Sequence, residues 1–378
     1  MFGDKPAPPP ASSPAPRQAT SAAPREIVVF GITQAQLGHL PSGGFTVIEQ
    51  EDIADAGVMA LLQTPPGLGQ NAALAFISAL APAAVVAPNH YYRNQATASG
   101  CTAEICSSWT QVGWRQSSMC GGSVIIGVVD AAIDTRHPAL AGARLTLTRF
   151  ATQDHPPAPV DHGTAIVALL VGAQESVAPG LYPDAEILAA DPFTRDPHGD
   201  ERADTFDLVR AIEHLVSAGV QVINLSLAGP DNPILHAVVD RALAQGVALV
   251  AAVGNAGPKA KPLYPAAYPG VVGVTALSSN GKIYRHAVQG EQVDFAAPGV
   301  MVPVASSLGG VRRLSGTSFA TPFVTASIAA LLATNHSMTP SEAEKLLADQ
   351  ARDLGRFGKD PAFGWGLVQA VQHCGLSQ

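Results

Sequence analysis

The chain has 378 residues, 47% hydrophobic and 14% charged, enough to bury one large core and a smaller one beside it. Its formal net charge of −8 is spread along the chain with no basic stripe, which argues against nucleic acid as a partner. No apolar run reads as long enough to span a bilayer, and the nearest, Ala72 to Ala87, is broken by Ser78 and Pro82.

Residues 1–25 are rich in Pro, Ala and Ser, cannot build a core, and are expected to be a disordered leader. They carry no continuous apolar stretch of the signal-peptide kind. Residues 26–94 read as a small unit. "EIVVFG" predicts a strand, "TQAQLGHL" a short helix, "FTVIEQED" and "VMALLQTPP" two strands, "NAALAFISALAP" a helix and "AAVVAPNHYY" a fourth strand. That βαββαβ order is the split, ferredoxin-like α+β arrangement, which implies no function by itself. Cys101, Cys106 and Cys120 follow in loop-like sequence, and Cys374 lies near the end. The spacing matches no zinc pattern. Four cysteines allow two disulfides in three connectivities, which favours an oxidising compartment, secreted or periplasmic. Free buried thiol is the open alternative for Cys374.

Beyond the cysteines, "SVIIGVVD", "AEILAAD", "VQVINLSLAG", "VALVAAVGNAG" and "VVGVTAL" read as strands separated by amphipathic helices. Val-rich continuous strands with intervening helices predict an α/β fold, a mostly parallel sheet covered on both faces. Functional residues of such sheets gather at the carboxyl ends of strands. Asp130, Ser226 and Asn255 all fall at or just past such ends. A dinucleotide site would need a Gly-x-Gly-x-x-Gly turn after the first strand, and "VVDAAID" has none.

Three polar residues then belong together. Asp130 closes "VIIGVVD", His162 opens the helix "HGTAIVALL", and Ser318 opens the apolar helix of "SGTSFATPFVTA". Singly, each is what a turn, a loop or a helix cap would use. Jointly they offer an orienting carboxylate, a base and a nucleophile in the chain order Asp, His, Ser.

On these blocks, from about Val124 to Ala370, the chain resembles the subtilisin-like (S8) serine peptidases. "VINLSLAGP", "VAAVGNAGP", "YPAAYPGVVGVTA", "VDFAAPGV" and "FGWGLVQA" resemble further segments of that family in the same order. The resemblance implies an endopeptidase with Ser318 as nucleophile, His162 as base and Asp130 as its partner. It implies an oxyanion hole from the Asn255 amide and the Ser318 N–H. Ser226, Leu227, Ala228, Gly229, Gly254 and Ala266 would line the cleft for polypeptide substrates. It implies a peptidase domain over residues 95–378, with residues 26–94 as a propeptide that assists folding and inhibits its own enzyme. One self-cleavage between Tyr92 and Cys101 follows from that arrangement.

Departures from the family pattern bear on function. Ala131 and Ala132 stand where a hydroxyl residue and a glycine are usual, which removes one hydrogen bond to Asp130. Ala165 replaces a second histidine and leaves the triad intact. Ala139 stands where many members place a calcium-ligating Asp, so no calcium is expected there; no cofactor is otherwise implied, and calcium at other positions stays open. Ala228 and Ala266 replace glycines and are expected to narrow the pocket for the residue before the cut. The "DAA" change also supports an alternative, a weakly active or non-catalytic peptide-binding relative with a permanent N-terminal module.

Overall fold

The structure, a computed structural model, describes residues 21–94, 97–98, 107–114, 123–151, 156–196 and 199–370. All four cysteines, and with them the disulfides expected above, lie outside the described residues, as does most of the leader.

The N-terminal unit runs β1 (Ala22–Ile32), α1 (Gln34–Leu37), β2 (Thr46–Ile53), β3 (Gly57–Gln63), α2 (Gln70–Leu80) and β4 (Val85–Asn94). This is the βαββαβ order read from the sequence. Its strands lie in the order β2-β3-β1-β4, every pair antiparallel. β1 begins at Ala22, inside the segment read as leader, because Ala22 pairs with His90 of β4 beyond an irregularity in register. Thr33 and Gln36 form a reciprocal capping box that starts α1. Side chains alternate along β1, as period two requires. Ile27, Val29 and Ile32 pack with Leu62, Ala73 and Ile77 in the unit's own core. Val28 and Phe30, with Met59 and Leu61 of β3, join instead the cluster that holds Phe206, Val209 and Leu235 of the larger unit. Both faces of this small sheet are therefore buried, one of them against the peptidase-like unit.

The larger unit is built on a seven-stranded sheet. Its strands run, from edge to edge, Phe295–Pro298, Val272–Leu277, Ala248–Ala252, Val222–Leu225, Ile125–Val129, Glu186–Asp191 and Arg144–Arg149, and all neighbours are parallel. The strands alternate with helices, as the hydrophobic pattern predicts, and "RLTLTR" adds a strand beyond those predicted. Helices Asp161–Val171 and Thr317–Thr334 share one core with Ile126 and Val128, while Thr205–Ser217 and Pro233–Ala244 share another with Ile223 and Leu225. The chain leaves Ile125–Val129 towards one edge and, from Val222–Leu225 on, builds towards the other. Such a switch opens a crevice at the carboxyl ends of these two strands. Asp130 and Ser226 lie there.

Thr317–Thr334 corrects one expectation. It is 18 residues long and apolar enough by composition to cross a membrane, yet 89% of it is buried inside the protein. Its apolarity on all sides fits a helix enclosed by the sheet and its neighbours.

Candidate active site

Asp130 remains tied to the sheet by its N–H, which donates to the Ala190 carbonyl at 3.2 Å. Its carboxylate Oδ1 lies 2.6 Å from His162 Nδ1. A carboxylate can only accept, so the ring proton sits on Nδ1 and the neutral imidazole presents Nε2 as its acceptor. Nε2 is buried and makes no hydrogen bond in the structure. The helix reaches this close to Asp130 because residue 163 is glycine. A Cβ there would collide with the carbonyl oxygens of Ala131 and Ala132. Gly163→Ala is expected to cost about 1–3 kcal/mol by overpacking, seen as a lowered urea midpoint; an unchanged midpoint would mean that the helix shifts without penalty.

The "DAA" departure has a visible consequence. The Ala131 N–H donates to Asp130 Oδ1 at 2.7 Å, but Oδ2 is buried with no partner. A second carboxyl, Asp191, ends the neighbouring strand. Burial lifts it to about 6, while Arg149 and the Phe193 N–H pull the other way and the Asp130 charge adds to the rise. Arg149 Nη1, 2.7 Å from Asp191 Oδ2, thus damps a second negative charge near Asp130.

Ser318 sits in the first turn of its helix, and Pro322 four residues on explains how it is held. Proline has no N–H to give to the Ser318 carbonyl. The Ser226 hydroxyl donates to that carbonyl instead, at 3.0 Å. Ser226 accepts from Asn224 Nδ2 at 2.8 Å, and Asn224 Oδ1 accepts from Thr325 Oγ1 at 3.0 Å. This buried string ties the strand Val222–Leu225 to the Ser318 helix. Ser226, read from the sequence as a cleft residue, therefore commits its side chain to the main chain of Ser318. The Phe319 ring lies 5.5 Å from the His162 ring, centroid to centroid, which sets the imidazole against the residue next to Ser318.

Asn255 is joined to the same turn. Its Oδ1 accepts from the N–H and the hydroxyl of Thr317, both at 3.1 Å, so the amide's donor end is fixed by elimination. Gly254, at φ +97°, donates to Thr317 Oγ1 at 3.2 Å. Its φ is in the region that favours glycine, and a Cβ would collide with Leu263.

The remaining cleft residues meet the N-terminal unit. Leu227 and Ala228 pair antiparallel with Asn94 and Arg93 of β4. The Tyr92 ring covers Gly229, where a Cβ would collide with it, and Tyr92 Oη donates to the Pro230 carbonyl at 3.2 Å. On its other side β4 pairs with a strand Glu201–Asp204, Tyr92 opposite Ala203. Past the gap, Thr97 and Ala98 pair with Ser315 and Leu314, in the strand that leads into Ser318. Ala266 is buried and lines a cavity of about 350 Å³ with Tyr268, Gln292, Asp294 and Lys359, in which none of Asp130, His162 and Ser318 takes part. With β4 in place the three are nearly closed from solvent, at 1%, 5% and 0% exposure. The sequence reading missed the strand Glu201–Asp204. Its four residues are too few and too polar to show a period.

An imidazole hydrogen-bonded to a carboxylate, with the Ser318 helix and the Asn255 amide beside it, supplies the parts that a serine hydrolase uses, although His162 Nε2 makes no hydrogen bond to Ser318. The profile of the Subtilase family, Peptidase_S8, matches residues 121–366, and the chain belongs to that family. It is 32% identical over 267 residues to the minor extracellular protease Epr of Bacillus subtilis (strain 168), covering 68% of this chain and 39% of Epr. It is 29% identical over 254 residues to subtilisin E of the same organism, covering 66% of this chain and 65% of that protein. The chain thus matches less than two thirds of the length of either relative. The crystal structure of fervidolysin from Fervidobacterium pennivorans, described as a keratinolytic enzyme related to subtilisin, superimposes with a TM-score of 0.76 at 21% identity. That likeness is one of fold. It covers 93% of this chain and 60% of fervidolysin, and so takes in the N-terminal unit.

Proposed function

We propose that this protein is a serine endopeptidase made as a proenzyme. Ser318 attacks the peptide carbonyl while His162 Nε2 takes its proton, Asp130 holds the imidazolium, and Asn255 with the Ser318 N–H receives the oxyanion. Residues 26–94 act as propeptide and inhibitor. One observation carries the reading: the chain runs in extended form along Leu227–Ala228 up to Asn94 and resumes along Leu314–Ser315 at Thr97. Pairing on both sides of Ser318 is how a substrate strand would lie.

Only Gln95 and Ala96 separate the two paired stretches. The cut is therefore expected at Gln95–Ala96, inside the Tyr92–Cys101 window implied by the sequence. N-terminal analysis of the purified protein should give Ala-Thr-Ala-Ser, beginning at Ala96, together with hydrolysis of casein. A start outside residues 95–97 would overturn the register argument, and an intact active chain would favour a permanent module.

The unpartnered Oδ2 of Asp130 favours one competing reading, a weakly active peptide-binding relative. Fluorophosphonate labelling of Ser318 separates the two, since only an activated serine reacts at a measurable rate. A relative named an extracellular protease fits secretion, to a compartment where Cys101, Cys106, Cys120 and Cys374 would pair.

A further inference from the structure

Resting on that reading, the structure points to a selectivity the family resemblance does not supply. We propose that Glu201 selects a cationic side chain, Lys or Arg, at the second residue before the cut, the place held in this chain by Asn94.

The strand Glu201–Asp204 lies antiparallel to β4 with Ala203 opposite Tyr92 and Asp204 opposite Tyr91. Carrying that register two residues further sets Glu201 opposite Asn94. The side chains meet there, with Asn94 Nδ2 donating to Glu201 Oε2 at 3.2 Å. The fit is only half made. Asn94 Oδ1 is buried and finds no donor. An amide brings one donor that the site uses and one acceptor that it leaves unsatisfied, which is costly in a buried place. A side chain with donors only, ammonium or guanidinium, would satisfy the carboxylate and bury no orphaned acceptor. Aspartate or glutamate at the same place would set two carboxylates side by side.

The surroundings agree in sign. Burial pushes the Glu201 carboxyl up, the Asn94 hydrogen bond and, when it is protonated, His162 hold it down, and Asp130 and Asp161 raise it further. The group therefore lies in a field where acids outnumber bases, and a substrate cation relieves it. One residue earlier, Arg93 Nη1 is 3.5 Å from Asp200 Oδ2, but that pair is 30% and 60% exposed and is weakened by solvent. Glu201 is half-buried and Asp200 exposed, so selectivity resides at Glu201. The chain's own Asn94 is then an imperfect occupant, which suits a segment that must leave.

The test uses the processed enzyme from the full chain and three fluorogenic peptides of one sequence, differing only in Lys, Asn or Asp at this place. Fluorophosphonate titration counts active sites, so that poorly folded preparations do not distort kcat/KM. The expected order is Lys, Asn, Asp, with Lys over Asp by at least about tenfold, the scale of one charge-assisted hydrogen bond. Raising the salt should compress that ratio. Glu201→Gln should bring Lys and Asp to within about threefold of each other, and Glu201→Asp should restore part of the preference. Equal rates for Lys and Asp in the parent, or a ratio that survives in Glu201→Gln, would overturn the assignment while leaving the peptidase reading intact. Failure of the labelled parent to cleave any of the three would instead overturn the peptidase reading itself.

Discussion

Ser318→Ala is expected to accumulate as one uncut chain and to lose nearly all turnover, by about 10⁶-fold in kcat, the scale on which removing a triad serine acts. The argument begins with the sequence around the residue. Gly316, Thr317 and Ser318 open an apolar helix, and Pro322 denies the Ser318 carbonyl its helical partner. Ser226 supplies that partner at 3.0 Å, so the backbone at residue 318 is held by a side chain from another element. Removing one hydroxyl leaves this arrangement untouched. The Ala variant should therefore fold, keep the N-terminal unit covalently attached, and give the full mass in intact-mass analysis. Cleavage of casein at the parental rate by this variant would remove Ser318 from the mechanism. A variant that is cut between Asn94 and Thr97 by itself, at the parental rate, would do the same.

Asn255→Ala should lower kcat by about 10²–10³ and change KM little, because an oxyanion donor acts on charge that exists only in the transition state. Its Oδ1 is held by the N–H and hydroxyl of Thr317, which fixes the direction of the amide before any substrate arrives. The same bonds give the opposing outcome its form. A merely structural Asn255 would loosen the Thr317 turn, lower the melting temperature, and leave kcat per titrated site unchanged. Kinetics per labelled serine beside thermal melts distinguish these two results.

Much of this arrangement was legible in the sequence where short-range signals coincide with long-range ones. Asp130 ends a Val-rich strand, and the glycine after His162 marks a close approach that proves to be the Asp130 turn itself. The βαββαβ unit was readable because its strands alternate and its helices carry periodic apolar faces. The use of Ser226 was not readable, since a serine after a strand gives no hint that a proline 96 positions later leaves a carbonyl in need of it. Ala22–Arg25 looked like leader because its composition is that of the tail before it, and only pairing with β4 makes it strand. The strand Glu201–Asp204 was invisible for a similar reason: it exists because β4 lies beside it. Ala266 lines a cavity with Asp294 and Lys359 that the triad does not share, and nothing in its flanking sequence announces that cavity.

The two-sided embrace of β4, between Glu201–Asp204 and Leu227–Ala228, has a consequence for what the proposed processed enzyme could attack. If the N-terminal unit departs as proposed, both of those segments are left as raw sheet edges whose main-chain groups want a partner. Only a stretch of polypeptide lying fully extended, with its own backbone uncommitted on both sides, can take that place. A helix, or a strand already paired within a folded domain, must first come undone over several residues. The rate at which a given protein is degraded should then follow how often its loops and frayed ends open, more than how many suitable residues its sequence contains.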